Sequence, residues 1–102
     1  MKVEVFYFQG CPNHGPAVER VKSLLKQQGI AAELAEIEVF DAEAAKVVGF
    51  IGSPTIRVNG LDIDPASRAF TETGFACRWY TGGIPSEEMI RNALCEARGQ
   101  EQ

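Results

Sequence analysis

The chain of 102 residues has one histidine and three cysteines. A single imidazole excludes a centre built from several histidines. An odd, widely spaced set of cysteines does not make the paired framework of a small secreted domain. No Cys-x-x-Cys pair with zinc spacing occurs, and no glycine-rich nucleotide-binding pattern. Ten basic residues stand against fourteen acidic ones, for a net charge of −4, and no basic run or stripe is present. Binding by phosphate neutralisation needs clustered Lys and Arg, so neither nucleic acid nor an anionic membrane surface is an expected partner. No apolar run approaches the roughly 20 residues that cross a bilayer. The opening "MKVEVFYF" alternates and lacks the basic region and long apolar stretch of a secretion signal, so the expected location is the cytoplasm. Internal repeats and low-complexity segments are also missing.

What is present is an ordinary globular mixture, 45% hydrophobic and 24% charged, which predicts one folded domain over 1–102 with fraying confined to the polar end from Gly99 to Gln102. Residues 2–8 are rich in β-branched and aromatic side chains and apolar on both faces near their end, the pattern of a central strand. The turn-forming cluster "QGCPNHGP" follows. Pro16 suits a first helical turn, and Ala17, Val18, Val21, Leu24 and Leu25 keep helical spacing up to a stop at Gly29. A second strand is predicted over about 31–39. Asp41 then caps a short helix ended by Gly49. "PTIRV" reads as a third strand, and Asn59-Gly60 as a tight hairpin into a short fourth strand, "LDI". A long connection without clear periodicity occupies about 65–85. Ser86 caps a last helix whose apolar face is Met89, Ile90, Ala93, Leu94 and Ala97, with Cys95 nearly opposite, on the outward side. The order βαβαββα predicts an α/β domain with one central mixed four-stranded sheet and helices on both faces.

Cys11 sits in the turn between the first strand and the first helix. A thiol there faces unpaired backbone N–H groups and the positive end of the helix dipole, both of which favour the thiolate. His14, three residues on, has three readings: a base for Cys11, a soft-metal ligand, or a solvent-exposed loop residue. Cys77 lies in the long connection beside Arg78 and several aromatics. That connection starts from the Cys11 end of the sheet, because the fourth strand returns toward it. Cys77 is therefore read either as a resolving thiol or second soft ligand for Cys11, or as a buried residue in a loop anchored by Phe75, Trp79 and Tyr80. Asp62 and Asp64 flank the fourth strand and are read as a solvated strand end in preference to acids serving a site at that edge.

This order, with Cys11-Pro12-Asn13-His14 after the first strand and Ser53-Pro54-Thr55 entering the third, resembles the thioredoxin-like fold over nearly the whole chain apart from 65–85. The resemblance implies that Cys11 is the attacking thiol and Pro54 a cis-proline beside it. Pro12, Ser53, Pro54 and Thr55 are then the substrate-binding positions, where a peptide or glutathione pairs with an extended backbone edge. His14 occupies the place of the second, resolving cysteine. Resolution of a mixed disulfide then falls to Cys77 or to an external thiol.

The blocks "YFQGCPNHGP", "GSPTIRVNGLDID" and "CRWYTGGIP" are also similar to small thioredoxin-like proteins sometimes named as alkylmercury lyase-like. That similarity implies thiolate and soft-metal chemistry by Cys11 with Cys77, and Asp62 or Asp64 as a proton source. The lyase reaction itself is not expected in a chain too short for that enzyme's extra domain. The leading expectation is a thiol-dependent redox protein of thioredoxin or glutaredoxin type, using Cys11, His14 and Cys77. Its partners would be disulfide-containing proteins or a small thiol such as glutathione, and no cofactor is called for. The alternatives are a soft-metal or organomercurial binding protein using Cys11 with Cys77 or His14, and an interaction module that has kept the fold and lost the chemistry.

Overall fold

The computed structural model describes residues 1–69, 73–74, 78, 80 and 83–100. Strand β1 (Lys2–Tyr7) leads through a tight turn into α1 (His14–Gln27), and the chain returns as β2 (Glu33–Glu38). Helix α2 (Ala42–Val48), strands β3 (Thr55–Val58) and β4 (Leu61–Asp62), a 3-10 helix (Pro65–Ala69) and α3 (Glu87–Gln100) follow. The sheet order is β2-β1-β3-β4, with β2 parallel to β1 and both β3 and β4 antiparallel to their neighbours. The mixed α/β sheet agrees with the sequence pattern, and each strand is one to three residues shorter than its apolar run.

Local chemistry accounts for most element ends. The Asp41 carboxylate accepts the Ala44 N–H at 2.8 Å, and the Ser86 hydroxyl oxygen accepts the Met89 N–H at 3.1 Å, so both helices start on capping side chains. Gly29 and Gly49 stop their helices at positive φ. The N–H groups of Ile30 and Phe50 reach back to the carbonyls of Leu25 and Ala45, the bonding of a Schellman stop. Asn59 and Gly60 both have positive φ, at 51° and 85°, as a type I′ hairpin requires.

Alternation along β1 divides its side chains between two cores. Val3 and Val5 join Ile56 and Val58 beneath α1 and α3, whose buried faces are Ala17, Val18, Val21, Leu24 and Leu25, and Ile90, Ala93, Leu94 and Ala97. Phe6 points to the other face and packs with Val39, Ala45 and Phe50 on the α2 side. Leu94 is fully buried while Cys95, the next residue, is exposed. Leu94→Ala is therefore expected to lower the unfolding free energy by about 2–5 kcal/mol. Cys95→Ser should stay within about 0.5 kcal/mol of the parent. Urea denaturation of the two variants checks the assignment of that face.

Candidate functional site around Cys11

Three chain segments converge where β1 and β2 end and β3 begins. The register pairs Phe6 with Thr55 and Tyr7 with Glu38, so the loop after β1, the residues after β2 and Ser53–Pro54 share one rim of the sheet. Two successive turns place Cys11 there. The Cys11 N–H donates to the Phe8 carbonyl at 3.2 Å across a turn with Gly10 at φ 87°. That is the positive φ which a type II turn needs at its third position. The Cys11 carbonyl then accepts the His14 N–H at 3.4 Å, and helix α1 begins. Pro12, between them, supplies a fixed φ and is exposed. The Cys11 thiol is free and half-buried, so it is neither bridged nor sealed from solvent.

His14 is turned toward the sheet. Its ring stacks on Tyr7, with centroids 3.6 Å apart and planes within 4°, and its Nε2 lies 2.7 Å from Glu36 Oε1. Glu36 pairs in register with Val5, which puts its carboxylate on the α1 face of the sheet. Among the described residues no hydrogen bond joins the imidazole to the Cys11 thiol; the ring contacts Tyr7 and Glu36 instead.

Ser53, Pro54 and Thr55 are all buried, and the Ser53–Pro54 peptide is cis. The Ser53 hydroxyl oxygen accepts the Phe8 N–H at 3.4 Å, tying the rim to the Cys11 loop. Thr55 directs its hydroxyl to the Gly52 carbonyl, which leaves it no free donor. The long connection returns over this segment. Gly74 N–H donates to the Phe50 carbonyl at 3.0 Å, Arg78 N–H to the Ser53 carbonyl at 2.8 Å, and the Tyr80 hydroxyl to the Pro54 carbonyl at 2.9 Å. Gly52 is pressed so closely against Arg78 that an added Cβ would lie 2.8 Å from the Arg78 Cβ. Cys77, Phe75 and Trp79 lie outside the described residues.

The strongest electrostatic feature nearby is the pair Asp62–Arg78. Both side chains are 8% exposed, and the guanidinium holds the carboxylate with two bonds of 2.7 and 3.0 Å. Arg78 also reaches the Ser67 hydroxyl at 2.9 Å and lies 4.6 Å over the Tyr80 ring. Asp64 is the half-exposed member, accepting from Ser67 and from the Ala66 N–H at the start of the 3-10 helix. Asp62 is thus not the solvated strand end that its sequence position suggested. The long connection brings it a cation and removes it from water. Burial opposes the Arg78 charge, but the hydrogen bonds it donates to Asp62, together with charge interactions with Tyr80, Asp62 and Asp64, outweigh burial and hold the group above its ordinary value. Burial also pushes the Tyr80 phenol well above its ordinary range, against the opposing pull of Arg78.

A cavity of about 310 Å³ opens elsewhere, between the 3-10 helix and α3, lined by Ile63, Pro65, Arg68, Met89 and Ala93 among others. None of the rim residues lines it. Among the described residues, no group of three or more His, Cys, Asp or Glu side chains is arranged to hold a metal ion, and no helix is long and apolar enough to cross a membrane. Compared with protein-family models, with curated proteins and with solved structures, the chain matches none.

Two outcomes follow from the buried cluster. Asp62→Asn strands the Arg78 charge and is expected to cost about 3–5 kcal/mol, whereas Asp62→Leu combined with Arg78→Met should cost less than either single change. Thermal or urea unfolding of Asp62→Asn, Asp62→Leu, Arg78→Met and the double variant decides this. The second outcome concerns alkaline pH. The unfolded chain gives up its tyrosine protons near about pH 10 while folded Tyr80 keeps its own, so the unfolded state binds fewer protons and stability falls as pH rises above that value. Tyr80→Phe should flatten this part of the stability–pH curve.

Proposed function

We propose that the chain is a thioredoxin-like thiol–disulfide exchange protein with Cys11 as its nucleophile. The observation that carries this reading is the placement of a free, half-buried thiol at the head of the turn into α1, on the same rim as Ser53–Pro54. The βαβαββα order and the β2-β1-β3-β4 sheet support the finer fold assignment. So does the correspondence of both sequence motifs to the two loops that meet.

The reaction is an exchange. The Cys11 thiolate attacks one sulfur of a disulfide, a Cys11–sulfur bond forms, and the other sulfur leaves as a thiolate that takes up a proton. An external thiol such as glutathione then attacks the substrate sulfur of the mixed disulfide, restores Cys11 as a thiolate and leaves with the substrate half as a new disulfide. In the other route Cys77 attacks the Cys11 sulfur, the substrate half leaves as a thiolate that takes up a proton, and the resulting Cys11–Cys77 disulfide is reduced by two glutathione molecules, which leave as glutathione disulfide. Orientation of the first helical turn, and of the backbone N–H groups it presents, is the protein's contribution to nucleophilicity. His14, held by Glu36 and Tyr7, fixes the start of that turn. A reducing compartment, the cytoplasm, suits a thiol left unpaired.

Cys11→Ser is expected to abolish exchange with a small disulfide in the presence of glutathione, followed by coupled oxidation of a nicotinamide reductant through glutathione reductase. Cys77→Ser then separates the two resolving thiols: turnover falls if Cys77 resolves and persists if glutathione does. Full activity in the Cys11→Ser protein would remove the proposal.

A further inference from the structure

We infer that the disulfides exchanged at Cys11 are those of small molecules and not of extended polypeptides. This inference rests on the exchange reading above and specifies its substrate class. A polypeptide bound in extended form gains its affinity from backbone hydrogen bonds to an exposed edge. The edge near Cys11 is the stretch entering β3, and the carbonyls of Phe50, Gly52, Ser53 and Pro54 along it already accept from the chain itself. The carbonyls of Phe50, Ser53 and Pro54 accept from Gly74 N–H, Arg78 N–H and the Tyr80 hydroxyl respectively, at 3.0, 2.8 and 2.9 Å. Thr55 has spent its hydroxyl on Gly52, and Ser53, Pro54 and Thr55 are all buried.

The cover is anchored. Arg78 is bound through its backbone to Ser53 and through its side chain to buried Asp62 and to Ser67, while its Cβ region fills the space that any side chain at Gly52 would need. Displacing it to admit a peptide would expose a buried charge pair and leave carbonyls to be satisfied again. The thiol itself is not under this cover in the same sense: Cys11 keeps partial exposure, and Pro12 beside it is open to solvent. A compact disulfide that needs no backbone edge can therefore reach the sulfur, while an extended chain gains nothing from its flanks. Balance is kept by the same two-step exchange, with a small thiol as reductant.

The test uses two disulfides of matched intrinsic reactivity: cystine blocked at both ends, and a peptide disulfide with several residues on each side of each cysteine. The reduced full chain, carrying Cys95→Ser to silence the exposed thiol, is mixed with each, quenched in acid, and the Cys11 adduct is followed by mass spectrometry. Cys11→Ser in the same background supplies the baseline. The expected result is that both disulfides react at Cys11 and that the flanks confer no advantage. In Arg78→Ala and in Tyr80→Phe the peptide should gain up to about tenfold over blocked cystine, roughly the worth of one recovered backbone hydrogen bond. Tyr80→Phe deletes a single hydroxyl and keeps the comparison valid if Arg78→Ala does not fold. A wild-type chain that already prefers the flanked peptide by about tenfold or more overturns the inference, as does a folded variant with no gain. Neither a Cys11 adduct nor a Cys11–Cys77 disulfide from either substrate overturns the exchange reading itself, and the substrate class with it.

Discussion

Strand β1 lies inside the sheet, with a parallel partner on one side and an antiparallel one on the other, and this mixed pairing decides where everything else can be. A parallel return requires the chain to cross back over one face, which is the work of α1. An antiparallel β3 must then begin where β1 ends, since Phe6 pairs with Thr55. The loop that leaves β1 and the loop that enters β3 are thereby forced together. The loops that carry Cys11 and Ser53–Pro54 share one rim because of strand direction, although about forty residues separate them in sequence. The alternation of β1 completes the constraint: Val3 and Val5 draw α1 and α3 to one face, and Phe6 draws the α2 layer to the other.

The pair Asp62–Arg78 is costly to form, since both ions leave water, and two charged hydrogen bonds, Ser67 and the Tyr80 ring offset that cost. An apolar pair would fill the same space with less penalty. The charged pair ties Arg78, the one cation in the sequence between Thr73 and Tyr80, to Asp62 and so holds it over Gly52. That placement brings Arg78 N–H onto the Ser53 carbonyl and the Tyr80 hydroxyl onto that of Pro54.

The local grammar of the chain was largely legible in its sequence. Asp41, Ser86, Gly29, Gly49 and Asn59-Gly60 act within four or five residues of themselves, so their side chains announce the helix ends and hairpin they make. The outward position of Cys95 followed from helix geometry, and the burial of Tyr80 agrees with one of the two readings of the aromatic-rich connection. Most features that sequence did not disclose depend on distant partners. Asp62 looked like a solvated strand end because Arg78 lies sixteen residues away across an aperiodic segment. His14 had three readings because neither Glu36, on the next strand, nor the Tyr7 ring announces a contact with it. The burial of Ser53, Pro54 and Thr55 was likewise invisible, because what buries them belongs to the connection. The 3-10 helix carries no apolar period; it is held by Asp64, whose carboxylate serves Ala66 and Ser67.

Under the exchange reading, the covered edge and the imidazole at position 14 bear on the same chemical problem. A site that grips a polypeptide by its backbone retains it after the mixed disulfide forms, and an adjacent second thiol is then valuable because it releases the product within the complex. Position 14 carries His14 instead, tied to Glu36 and Tyr7. A compact substrate half, held by its sulfur and little else, leaves the second sulfur open to a diffusing thiol. The need for a neighbouring resolving cysteine falls as the grip on the substrate weakens. If the proposed small-disulfide substrate is correct, closure of the backbone edge by Arg78 and Tyr80 and the absence of a thiol at position 14 are two consequences of one substrate size.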